Sequence, residues 1–119
     1  MKKTLTLLAL TIIFSVNAQI ATTGTNPSGA ASSAIGYYTS ATGYMSTAMG
    51  RESRASGDYS TAMGRNTKAS DYSSTVIGQY NSSGSSATSA TSFSTSAPAF
   101  VIGNGTSGNL SDAFKVMFN

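Results

Sequence analysis

Glycine recurs every seven residues through the middle of this chain, at Gly29, Gly36, Gly43, Gly50, Gly57 and Gly64. It returns at Gly78 after Asp71 takes one expected slot. Two residues before successive slots stand Ala34, Ala41, Ala48, Ala55, Ala62 and Ala69, a column that Val76 continues. Three residues after them stand Ser32, Thr39, Ser46, Ser53, Ser60, Thr67 and Ser74. A disordered chain has no reason to hold three columns in register over fifty residues, so the segment is a structural repeat. The residue just before each slot reads Ile35, Thr42, Met49, Ser56, Met63, Ser70, Ile77. Large apolar alternates with small hydroxyl, and the full period is therefore fourteen residues in two inequivalent halves.

A period of seven invites a coiled coil, and the composition of the columns excludes it. Coiled coils need large apolar side chains at two positions per heptad. Here each heptad carries a glycine, which costs about 1 kcal/mol relative to alanine inside a helix. The pattern fits a short strand, a turn in which glycine takes positive φ, and a second short strand. Two strands and two turns per fourteen residues make one coil of a narrow β-solenoid, with equivalent positions stacked about 4.8 Å apart. Residues 29–81 hold nearly four such coils, a stack roughly 20 Å tall.

Neighbouring residues on a strand face opposite ways. The small alanine column suits the interior of a tight coil, which turns the adjacent column outward. On one sheet that outer ladder is Ile35, Met49, Met63 and Ile77; on the other it is Ser28, Thr42, Ser56 and Ser70. An exposed apolar ladder calls for a partner, and self-association about a threefold axis would cover it. The reverse assignment, with Ile and Met inside and Ala outside, is the alternative.

The chain begins with Met1-Lys2-Lys3, an apolar run from Leu5 to Phe14, and Val16-Asn17-Ala18. That is the order of a secretory signal peptide over residues 1–18, cleaved before Gln19; its apolar run is too short to span a bilayer. The remainder carries five basic and four acidic residues, a net charge of +1. So small a surplus predicts no basic patch for phosphates and no nucleic-acid partner. There is no cysteine, and Ser and Thr make up 38 of the 119 residues. A small exported chain with few large side chains and no disulfides must find stability in repetition or oligomerisation.

The sequences Ser32-Ser-Ala-Ile-Gly36, Ser46-Thr-Ala-Met-Gly50, Ser60-Thr-Ala-Met-Gly64 and Ser74-Thr-Val-Ile-Gly78 resemble the head repeats of YadA-like trimeric autotransporter adhesins. The resemblance covers about 29–81, with a return at Phe100–Gly105. It implies an all-β fold, a left-handed parallel β-roll of fourteen-residue coils that trimerises laterally, and a cell-surface or outer-membrane adhesive role. It carries over no ligand-contacting residue, because the family shares a scaffold rather than a fixed site. Members of the family continue into a neck, a stalk and a membrane anchor. This sequence, ending at Asn119, is read as a fragment or a truncated product, with no direct membrane contact of its own.

Residues 19–28 are read as a lead-in, with a turn at Asn26-Pro27. Residues 82–98 are nearly all Ser, Thr, Ala and Gly, and read as a flexible loop or a degenerate coil. Residues 99–119 read as a final coil or cap, with strands near Phe100–Ile102 and Ala113–Phe118 and a tight turn at Asn104-Gly105. With no His and no Cys, the common nucleophilic triads and His-ligated metal sites are excluded, and no enzyme or cofactor is expected. Asp58 and Asp71, thirteen residues apart, could meet on adjacent coils. The interleaving of Glu52, Asp58 and Asp71 with Arg51, Arg54, Arg65 and Lys68 reads instead as surface charge pairing. Tyr37, Tyr38, Tyr44, Tyr59, Tyr72 and Tyr80 fall at turn positions, either as contact aromatics or as shields stacked on one another. The competing functions are a phage tail-fibre-like structural repeat and an ice-binding solenoid ordering water on its hydroxyl columns. The receptor is not specified by the sequence.

Overall fold

The computed structural model describes residues 22–119; the signal-peptide reading of 1–18 and the start of the lead-in lie outside the described residues. The described chain is all sheet, with no helix. Short strands β1 (Asn26–Pro27), β3 (Ser40–Ala41), β5 (Arg54–Ala55) and β7 (Lys68–Ala69) stack in parallel as one sheet. Longer strands β2 (Ser33–Tyr37), β4 (Thr47–Arg51), β6 (Thr61–Arg65), β8 (Thr75–Gln79) and β9 (Pro98–Asn104) stack in parallel as the other. Strand β10 (Asp112–Met117) closes that second sheet antiparallel to β9. This is a parallel β-solenoid of about four turns with fourteen-residue coils.

The register is strict. Ala34, Ala48, Ala62, Val76 and Val101 lie in one rank; Ile35, Met49, Met63, Ile77 and Ile102 in the next; Gly36, Gly50, Gly64, Gly78 and Gly103 in the third. The spacing is fourteen until β8, where the partner of Val76 is Val101, so eleven extra residues enter between the last two rungs. Strand β1 within the segment 19–28 already pairs with β3, and Thr23 bridges Tyr37, so the roll begins before Gly29.

The interior is thinner and more polar than the alanine column alone suggests. Ala41, Ala48, Ala55, Ala62 and Ala69 are fully buried, and with them Thr39, Ser46, Ser53, Ser60, Thr67 and Ser74. Several of these hydroxyls find acceptors inside the wall: Ser46 donates to the Gly43 carbonyl at 2.8 Å, Ser74 to that of Asp71 at 2.8 Å, and Thr67 to the Ser53 hydroxyl at 2.9 Å. Small hydroxyls fill a space that excludes larger side chains and satisfy backbone carbonyls facing inward, which a wholly apolar lining would leave bare.

The turns differ from the expectation that glycine would supply positive φ there. Each coil has two left-handed corners, and neither holds glycine. One is the rank Tyr38, Glu52, Asn66, Tyr80, with φ of 51, 57, 53 and 45°; the other is Ala31, Met45, Tyr59, Ser73, with φ of 55, 50, 58 and 53°. Such backbone costs of order 1–3 kcal/mol at a non-glycine residue and persists where surrounding structure over-determines it. Here the corner amides from Tyr38 onward bond across to the neighbouring rung, as from Glu52 to the Tyr37 carbonyl at 2.8 Å and from Tyr59 to that of Tyr44 at 2.7 Å. Glycine serves another need. Gly50 lies inside β4 at φ 109°, and a Cβ placed on it would stand 2.1 Å from the carbonyl oxygen of Gly64. The rungs approach too closely at this rank for any side chain.

Gly50→Ala should therefore destabilise the roll by about 3 kcal/mol or more, from strain and clash together. Gly108→Ala, at φ 97° with nothing within 4 Å of the added Cβ, carries strain alone and should cost about 1 kcal/mol. Denaturant melts of the two variants check this; equal midpoints would show that rung contact at the glycine rank does not limit stability.

Candidate functional site

The outer surface carries the side chains available for function, and its faces differ. On the long-strand sheet the ladder Ile35, Met49, Met63, Ile77 stands outside the alanine rank. Ile35, Met49 and Ile77 are half-buried and Met63 is 37 % exposed. Ile102 on β9 adds a fifth member, and Thr47, Thr61 and Thr75 form an in-register column two residues before it. That column was readable as the Thr within three of the four quoted motifs. On the short-strand sheet Thr42 is exposed, Ser56 half-buried and Ser70 buried, so the hydroxyl column is not a uniform wet face.

The tyrosines gather into edge stacks. Tyr44, Tyr59 and Tyr72 climb one edge in T-shaped pairs, with centroids 5.4 and 5.3 Å apart. Loss of water around Tyr59 pushes its hydroxyl up from the usual range, and the neighbouring Tyr44, Tyr72 and Asp58 add to the effect. On the other edge Tyr37 and Tyr38 pack at 4.5 Å. Arg51 lies over the Tyr37 ring at 5.7 Å, and Arg65 over Tyr80 at 5.5 Å.

The charges do not pair as their interleaving suggests. Among the described residues the one ion pair is Arg51–Glu52, at 3.4 Å. Every aspartate is turned to backbone amides. Asp58 accepts from the Tyr44 N–H at 2.8 Å, and Asp112 from those of Ser82 and Ser83 at 2.8 and 2.9 Å. Asp71, fully buried in the missing glycine slot, accepts from the amides of Thr88 and Ser89. The slot tolerates a side chain because its rank, unlike that of Gly50, does not use positive φ and because the irregular segment after β8 replaces the next rung. Glu52 accepts from the Asn66 carboxamide at 2.6 Å, one coil along. That bond, more than the nearby Arg51 and Arg65, holds its carboxyl below the usual range against an opposing desolvation. Asp58 and Asp71 thus serve separate backbone contacts, and Arg54, Arg65 and Lys68 have no carboxylate partner among the described residues.

The segment after β8, predicted as a flexible loop or degenerate coil, has defined contacts. The Asn81 carboxamide accepts from the Lys68 N–H at 2.8 Å and donates to the Lys68 carbonyl at 2.9 Å, occupying the place of a next short strand. The turn before β10 falls at Thr106–Asn109, which bond to each other at 2.8 and 3.0 Å, rather than at Asn104-Gly105. Phe118 packs on Phe93 at 5.1 Å, and Phe114 on Phe100 at 6.4 Å; Phe93 and Phe114 remain exposed.

Among the described residues no three of His, Cys, Asp or Glu are grouped to hold a metal. The repeat itself decides the kinship: a family model described as the YadA head domain repeat, in two copies, matches residues 28–53, 41–67 and 55–81. Residues 28–81 carry repeats of the YadA head type. Each match spans two coils, and successive matches start about one coil apart. The YadA head is a structural adhesin family, not an enzyme family. No curated protein and no solved structure matches the chain.

Asp71→Ala should leave the roll folded but release the segment it anchors. Two amides would lose their acceptor, at a local cost of about 1–3 kcal/mol. Hydrogen exchange at Thr88 and Ser89 should accelerate at least tenfold while the amides of β4 and β6 hold; unchanged exchange at both would show that Asp71 does not anchor the segment.

Proposed function

We infer that the chain is exported and that three copies join through the ladder Ile35, Met49, Met63, Ile77. The trimer then serves as a non-enzymatic adhesive head at a cell surface. The observation that carries this reading is the in-register apolar ladder, left partly exposed on a solenoid whose own interior is mostly Ala, Ser and Thr. Burying a side chain of this size from full exposure is worth about 1.5–3 kcal/mol. These are already half-buried, so covering the rest adds roughly 0.5–1 kcal/mol each, which over four side chains still counts against the 5–15 kcal/mol by which domains are stable. The YadA head repeats, with the surface-adhesin role of their family, support the adhesive half of the proposal.

Assembly and attachment are tested on one set of proteins. Wild type should sediment as a trimer. Met49→Asp with Met63→Asp would bury charge without partners, at a cost of several kcal/mol, and should give separated, unfolding chains. Thr42→Asp with Ser56→Asp, on the other sheet, should remain trimeric. A folded monomeric wild type, or equal behaviour of both pairs, rejects the ladder as the interface. The wild-type trimer should bind a subset of an array of matrix proteins and glycans; binding to none rejects adhesion.

A further inference from the structure

The near-neutral sum of the chain conceals a separation of charge that the coil creates. Arg51 and Arg65 are register partners on adjacent long strands, and Arg54 and Lys68 are register partners on adjacent short strands. Both pairs flank the same corner, that of Glu52 and Asn66, so four cations and one acid share two rungs of one edge. With rungs about 4.8 Å apart, each pair of like charges is held close along the stack, which opposes folding unless a ligand uses it. The aspartates that might have neutralised the edge are committed to backbone amides elsewhere. Two further features favour a ligand. A groove of about 330 Å³ opens here, lined by Tyr38, Glu52, Arg54, Asn66 and Lys68 among others. The Glu52 carboxylate is engaged by the Asn66 carboxamide and by Arg51, so the two unpaired cations set the sign of the groove. Arg65, seated on the Tyr80 ring, keeps its N–H rim free for a planar or tetrahedral anion, at lower ordering cost than an unsupported side chain.

We propose that this edge is a docking surface for a linear sulfated polysaccharide, gripped chiefly by Arg54 and Lys68 in the groove and flanked by Arg51 and Arg65. Charge complementarity selects a polyanion. The small footprint, two rungs or about 10 Å, fits a short run of sulfated sugars better than a nucleic acid, which proteins hold through some 6–10 phosphates. Single strands also stack successive bases on aromatic platforms, and here Tyr37 and Tyr80 are covered by arginines, which leaves Tyr38 as the one exposed ring lining the groove. Arg54 and Lys68 are exposed on the short-strand sheet, away from the Ile/Met ladder, so the groove stays open when that ladder is covered. The inference rests on the adhesive reading for its biological sense and names a ligand class for it.

The test is titration of the purified full chain with a heparin-derived octasaccharide. Wild type should bind it, with affinity falling as salt rises. Arg54→Gln with Lys68→Gln should bind at least tenfold more weakly with a shallower salt dependence, while Lys115→Gln, on β10, should match wild type. Arg54→Lys with Lys68→Arg should retain most of the affinity and guards against loss through misfolding. Equal binding by the Gln pair and wild type overturns the proposal. So does equal binding of the desulfated octasaccharide, or tighter binding of a single-stranded oligodeoxynucleotide. If wild type ignores the octasaccharide yet attaches elsewhere on the array, this inference fails alone. If it binds the octasaccharide in solution but attaches to nothing immobilised, the adhesive reading fails and this one stands.

Discussion

Everything in this molecule depends on how closely successive rungs approach at the glycine rank. The added Cβ that would sit about 2 Å from the next rung's carbonyl at Gly36, Gly50 and Gly64 sets the register, because slipping a strand by one residue would place a side chain where none fits. Once the register is locked at fourteen, the strand ranks become ladders of like residues. The identity of each ladder then decides its role: Ala and Ser/Thr inside, Ile and Met outside, tyrosines and charges at the edges. The thin interior follows from the same closeness. A coil this tight has room for little beyond a methyl or a hydroxyl until its last rungs, where Val76, Val101 and Asp71 are buried, and the Ile and Met side chains are left on the outer face.

Much of this was legible from the spacing of Gly and Ala. The repeat of fourteen, the parallel stacking and the all-β class need only the columns and the steric poverty of their members. The corners were not legible. Tyr38, Glu52, Asn66 and Tyr80 share no side-chain chemistry, and what unites them is backbone conformation stabilised by amide bonds to the neighbouring rung. Sequence reasoning assigned positive φ to glycine because glycine adopts it most easily, whereas stacking makes it tolerable for other residues. The inward Ser/Thr column was visible as a pattern but not as a lining, since its role is to satisfy carbonyls that exist only once the coil closes.

The charges show the same limit. Along the chain Arg51, Glu52, Arg54, Asp58, Arg65, Lys68 and Asp71 alternate well enough to suggest pairing. Winding sends residues seven apart to opposite sides and residues fourteen apart to the same side, so neighbours in sequence part company. The aspartates end on backbone amides, and the cations end together. Asp71 illustrates how an exception in a repeat can matter more than the rule. The one slot without glycine holds the carboxylate that anchors the segment replacing the next short strand.

That segment, with β10, also changes what the end of the roll can do. A parallel stack offers a growing face like a crystal step, and another copy could add its first rung there and extend without limit. Here the Asn81 carboxamide fills the strand position beyond β7, and β10 runs opposite to every other strand of its sheet. A second copy arriving head-to-tail would have to pair its first long strand antiparallel to β10, which breaks the parallel winding of the coils. Filaments need two complementary ends, and the reversed strand makes the two ends of this sheet unlike, so coil-on-coil polymerisation loses the parallel register that winds each chain.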